Sequence, residues 1–147
     1  MNLHDWLRLG WVTEHQTSPQ EIADLLAVAT RDLRDCRTPG LSPDWRLNIA
    51  YNAALQMAAA ALAASGYRAA REMHHYRVIQ SLGLTIAAPS TIVDQMDGFR
   101  RKRNMGGYER AGLVSEQEAE EMIALAEGLK CSVVSWLEDN HPDLLPQ

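Results

Sequence analysis

The stretch Ser42-Pro43-Asp44-Trp45-Arg46-Leu47-Asn48-Ile49-Ala50-Tyr51-Asn52-Ala53-Ala54-Leu55-Gln56-Met57, running on through Ala58-Ala59-Ala60-Ala61-Leu62-Ala63-Ala64-Ser65-Gly66, decides the fold. A serine cap followed by proline at the first helical position starts a helix, and a glycine just past Ser65 ends one. Alanine, the strongest helix former, fills more than one face between these signals. Methyl groups on several faces let neighbouring helices approach closely, so this reads as the central helix of a bundle.

Further helices follow from the same signals on either side. Ser18-Pro19-Gln20-Glu21 joins a serine cap, a first-turn proline and a glutamate three residues after the cap. Ile22, Leu25, Leu26, Ala29, Leu33 and Cys36 then recur at helical spacing until Thr38-Pro39-Gly40. A third helix is predicted from about Tyr67 to Leu82, with Ala69, Met73, Tyr76, Ile79 and Leu82 inward. Ser90 or Thr91 starts a fourth that runs to about Asn104, where Met105-Gly106-Gly107 interrupts it. Ser115-Glu116-Gln117-Glu118 is a capping box for a last helix carrying Met122, Ile123, Ala126, Leu129, Val133 and Trp136. The expectation is an all-α, up-down helical bundle of about five helices in one domain. That domain spans residues 1–147, with residues 1–16 as an N-terminal arm or short helix packed on it and no strand.

Composition agrees with helices. The apolar fraction is 46%, rich in alanine and leucine, with a single phenylalanine. Cys36 and Cys131 form no motif with each other or with a histidine pair and read as small core residues. Trp6, Trp11, Trp45 and Trp136 read as core or dimer-interface residues rather than base-stacking platforms. The N-terminus lacks an apolar targeting segment, and Ala53–Ala64 is short and weakly hydrophobic for a membrane span. The expected location is the bacterial cytoplasm, with no membrane contact.

A net charge of −5 argues against wholesale binding to a polyanion. Its distribution is uneven, however: Arg100-Arg101-Lys102-Arg103 is a basic cluster, and Glu116, Glu118, Glu120 and Glu121 an acidic one. Counted at about 100° per residue from Ile92, Met96 falls at about 40°, Phe99 at about −20° and Arg103 at about 20°. Arg103 therefore continues the apolar stripe toward a cleft, a partner or a carboxylate such as Glu109 or the glutamate run. Arg100 and Asn104 flank the stripe, while Arg101 and Lys102 are expected in solvent.

The order Arg100…Arg103-Asn104…Tyr108, late in the chain and before a capped terminal helix, resembles the HEPN superfamily. So do Tyr51-Asn52-Ala53-Ala54 through Ala60-Ala61-Leu62, then Gly66-Tyr67-Arg68, and His75 before Val78-Ile79. The likeness covers roughly residues 18 to 140 and is closest to small stand-alone bacterial HEPN proteins. It implies an up-down bundle that forms a homodimer and, in many members, a metal-independent endoribonuclease needing no cofactor. It also implies a toxin–antitoxin or defence setting, with a nucleotidyltransferase-like antitoxin as partner. The family signature is arginine, a polar residue and, after a short gap, histidine. Arg103 and Asn104 match the first two, and Tyr108 stands where the histidine is expected.

That departure shapes the chemistry. Histidine exchanges a proton near neutral pH, whereas tyrosine titrates near a pKa of about 10. Arg103, Asn104 and Tyr108 are the candidate catalytic residues, and Arg100, Arg101, Lys102 and Arg103 the candidate nucleic-acid contacts. Together they suit holding RNA or a nucleotide better than turning it over. A different class of reading makes the Arg-Asn segment a structural element of a dimeric interaction module. A third notes Glu72…His75 and Glu138…His141, spacings that hold metal pairs in some bundles, but the alanine-rich helix offers no core glutamate and no metal site is assigned.

Overall fold

The computed structural model describes residues 1–105 and 113–146, the side chain of Met105 excepted. Tyr108, Glu109 and the Gly106-Gly107 pair lie outside the described residues.

The chain is an all-α bundle with six α-helices among the described residues. These are α1 (Leu3–Arg8), α2 (Pro19–Asp35), α3 (Pro43–Ala64), α4 (His74–Ser81), α5 (Ser90–Met105) and α6 (Glu116–Asn140), followed by a 3₁₀ turn, Pro142–Leu144. The long alanine-rich helix is central as expected. Ser42 accepts the backbone N–H of Trp45 at its start, and Gly66 follows Ser65 with φ +96° at its end. Ala50, Ala53, Ala54, Ala58, Ala60 and Ala61 are fully buried, and α3 packs chiefly between α2 and α6. By length and composition α3 is apolar enough to cross a membrane, with a mean hydropathy of 1.2, but 67% of that stretch is buried in the bundle.

Two expected caps behave differently. Ser115 and Glu118 close the predicted capping box of α6. Ser18 caps α2, yet Glu21 turns away from the box to accept from the Thr17 hydroxyl at 2.6 Å and to meet His15 at 2.8 Å. The expected third helix is shorter than its apolar spacing implied. Tyr67–Ala69 is instead a strand, β2, paired antiparallel with β1, Val12–Glu14, in the register Val12 opposite Ala69. Val12 and Ala69 are both buried, so the ribbon turns inward the alanine that a helix would also have buried. Met73, predicted inward, is exposed and left-handed (φ 54°), and α4 starts only after it.

The first residues form the short helix of the two expected alternatives, α1 with an Asn2/Asp5 capping box, followed by β1. Arg77 of α4 holds them, with its guanidinium 3.6 Å from the Trp11 ring centroid and 5.9 Å from that of Trp6. Cys36 is buried, but Cys131 is exposed on α6 and is not the core residue expected.

Candidate functional site

The site forms where α5 crosses the N-terminal half of α3. Val93, Met96 and Phe99 bury one side of α5, so the helix is fixed in rotation and its last turn is aimed by its core. Each basic residue then meets what lies on its own side. Arg100 donates to Asp97 at 2.7 Å and lies 5.4 Å from the Tyr76 ring of α4. Arg101, on the solvent side as predicted, reaches the other oxygen of Asp97 at 3.7 Å. Lys102, expected in solvent, is half-buried against α6 and pairs with Glu118 at 3.4 Å. The rest of the glutamate run is engaged elsewhere: Arg46 of α3 takes Glu116 at 2.6 Å, and Glu120 as well, while Glu121 accepts from Gln117 at 3.1 Å.

Arg103 continues the apolar stripe and reaches across to α3. Its Nε–H donates to Asn48 Oδ1 at 2.9 Å, and its guanidinium carbon lies 5.2 Å from the centroid of the Tyr51 ring. Among the described residues no carboxylate lies within ion-pairing distance of it, in contrast to its three neighbours. Guanidinium carries five N–H donors, so the Asn48 bond leaves the Nη edge available for a planar, bidentate acceptor. Asn104 is exposed beside it.

These residues border a cleft of about 720 Å³ between α2, α3 and the end of α5. Among the described residues, Arg31, Lys102 and Arg103 supply its cations, and Asp32 and Asp44 its carboxylates. Asp32 is a buried acid held by Arg31 at 3.0 Å and by the Asn52 amide at 2.7 Å. Gln56 donates in turn to Asn52. Asn48, Asn52 and Gln56 stand one turn apart and give the alanine-rich helix α3 a polar seam. Asn48 also donates to the Asp44 carbonyl at 3.0 Å, which fixes which of its ends faces Arg103.

No protein-family model, curated protein or solved structure matches this chain.

Two groups behind Arg103 were not among the site residues expected from the sequence. Tyr51 is buried, with its ring 6.1 Å from that of His75, and its hydroxyl has no hydrogen-bond partner among the described residues. Burial pushes the Tyr51 phenol up to about 12, against the opposing pull of Arg103 and Arg100, so it stays protonated at neutral pH. Burial lowers the His75 imidazole, and the charges of Arg103, His74 and Arg100 lower it further. His75 is thus a neutral imidazole on α4, 28 positions before Arg103 in sequence but electrostatically coupled to it. Neither Tyr51 nor His75 lines the cleft. His74 meets the Ala70 carbonyl at 3.2 Å.

A second cavity, about 320 Å³, lies beside β2 and includes His15, Glu21, Gln56, Arg68 and His74. Its carboxylate is already held by Thr17 and His15, which lower its proton affinity. No group of three or more His, Cys, Asp or Glu side chains able to hold a metal ion occurs among the described residues. His141 packs its ring 5.0 Å from that of Trp136.

Proposed function

We propose that this chain is a HEPN-like protein that binds RNA or a nucleotide in the α2–α3–α5 cleft, with Arg103 as the phosphate-holding group and Asn104 beside it. The observation that supports this reading is the position of Arg103. It is held in place by a neutral amide and an aromatic face at the rim of a cleft, while Arg100, Arg101 and Lys102 are engaged by Asp97 and Glu118. A cation positioned without a counter-ion among the described residues favours an anionic ligand. Binding without turnover is preferred, because Tyr108 stands where the family's histidine is expected and no histidine lines the cleft among the described residues. As the resemblance implies, the protein acts as a homodimer in a toxin–antitoxin or defence pair, with a nucleotidyltransferase-like partner.

The test is a titration of fluorescent single-stranded RNA with the wild-type and Arg103→Ala proteins, followed by analysis of the RNA on a gel with and without a chelator. The reading expects binding that Arg103→Ala weakens about tenfold or more, and RNA that stays intact. Chelator-resistant cleavage by the wild type would replace binding with metal-independent nuclease activity. Absence of wild-type binding would sink the reading altogether.

One contact favours a second reading. The Arg103–Asn48 bond ties α5 to α3, which is what a purely structural Arg-Asn segment in an interaction module would do. That reading requires Arg103→Ala to damage folding and not merely ligand binding.

A further inference from the structure

Trp45 is the side chain that neither its sequence context nor the phosphate site accounts for. It lies on the first turn of α3, where a large apolar side chain is expected to turn toward α2 or α6, yet it is 58% exposed. It is not a stray surface residue, because it lines the same cleft as Arg103 and Asn104.

We infer that Trp45 is a stacking platform for one unpaired nucleobase whose own phosphate is held by Arg103, so that the ligand of this cleft is a single-stranded nucleotide unit. The inference deepens the function proposed above and rests on it. Helix geometry sets the spacing. Trp45 and Asn48 are three residues apart on one face of α3, which places their Cβ atoms about 5–6 Å apart. Arg103 is anchored on Asn48, so the indole and the guanidinium are held one helical turn from each other. A nucleotide separates its base from its phosphate by the width of a sugar, a distance of the same order.

The charges of the cleft limit the ligand further. Among the described residues three cations face two carboxylates, and Lys102 is shared with Glu118. That balance accepts one phosphodiester and disfavours a run of phosphates along a duplex. A paired base also hides both its faces within the helical stack, whereas an unpaired base can lie on an indole. Asn104 offers an amide donor and acceptor beside the stacked base, suited to a base edge or a ribose 2′-hydroxyl. The cleft volume, about 720 Å³, is within the range of ligand sites of this kind.

The test uses the full chain and three probes: an eight-nucleotide single-stranded RNA, the same sequence as a duplex, and free adenosine monophosphate. Trp45→Ala is expected to weaken single-strand binding about five- to hundredfold, Trp45→Phe only a few-fold, and neither to change the salt dependence. Because Trp45 is exposed, both variants should melt close to the wild type. Should Trp45→Ala nevertheless fail to fold, the readout passes to indole fluorescence. Quenching by adenosine monophosphate should be present in the wild type and lost in Trp45→Phe. Competition by adenosine monophosphate at about the affinity of the RNA identifies a free nucleotide as the ligand; much weaker competition identifies an RNA strand, and either agrees with stacking. Single-strand binding that depends on Arg103 but is equal in Trp45→Ala, or duplex binding as tight as single-strand binding, would overturn the stacking role and leave the phosphate site standing. No binding by the wild type would overturn both.

Discussion

Replacing Arg103 by alanine removes two contacts of known type, a charged hydrogen bond to Asn48 at 2.9 Å and a guanidinium over the Tyr51 ring at 5.2 Å. Arg103 is exposed, so each contact belongs at the weak end of its range. The hydrogen bond contributes about 1 kcal/mol and the ring contact about 0.5–1 kcal/mol. The expected loss of stability is therefore about 1.5–2 kcal/mol, or a fall in Tm of about 3–8 °C for a domain of this size. A double-mutant cycle with Asn48→Ala isolates the bond. Asn48→Ala also loses the bond to the Asp44 carbonyl, so its single effect overstates the pair, but the cycle cancels that excess. The expected coupling is about 1 kcal/mol, read from urea unfolding at unchanged m-value. A loss above about 3 kcal/mol on Arg103→Ala alone is the size seen when a buried charged network is broken, and it would refute the claim that this arginine is held at a rim for a ligand. Coupling near zero would refute the contact itself.

Two further outcomes follow from the core and from His75. Ala58→Leu places a larger side chain at a fully buried position of α3 and should cost about 1–3 kcal/mol in denaturant unfolding; an unchanged midpoint would mean that the alanine faces are not closely packed. The lowered proton affinity of His75, caused first by burial and then by Arg103, His74 and Arg100, makes its stability contribution complete above the unfolded pKa of about 6.5. That contribution is lost as pH falls through the lower folded value, because protonating the folded site is harder than protonating the unfolded chain. Melting curves from pH 7.5 to pH 5 should therefore show a decline that is shallower in His75→Gln; parallel profiles would contradict the assignment.

The helices were readable because their signals are local. Ser42-Pro43, Ser18-Pro19 and Ser115 with Glu118 declare starts within four residues, and the caps are made. The ribbon was not readable, because Tyr67–Ala69 becomes a strand only by pairing with Val12–Glu14, whose residues lie 53 to 57 positions earlier in the chain. Three residues are too few for an alternating pattern, and their apolar spacing also suits a helix. At the site, helical phase aimed Arg103 along the buried stripe correctly, but phase on one helix does not name the partner on another. Asn48 and Tyr51 were therefore unforeseen as its supports. Lys102 was misplaced for the same reason: its partner, Glu118, comes from α6, which covers a side of α5 that the sequence leaves polar. Trp45 reads from the sequence as a core or dimer-interface residue, but it is not in the core; hydrophobicity alone cannot tell a core indole from one that lines a cleft. Tyr51 and His75, both within segments that carry the resemblance, do come together behind Arg103.

The most direct measurement is the affinity of single-stranded RNA as a function of salt for the wild type, Arg103→Ala and Arg101→Ala. Each phosphate contact on a single strand adds about 0.7 to the magnitude of the slope of log K against log salt. The account predicts that Arg103→Ala binds more weakly at low salt and with a slope smaller by about 0.7, while Arg101→Ala, turned to solvent and paired with Asp97, follows the wild type. Equal affinity and equal slope for Arg103→Ala and the wild type would contradict the assignment of Arg103 as the phosphate-holding residue.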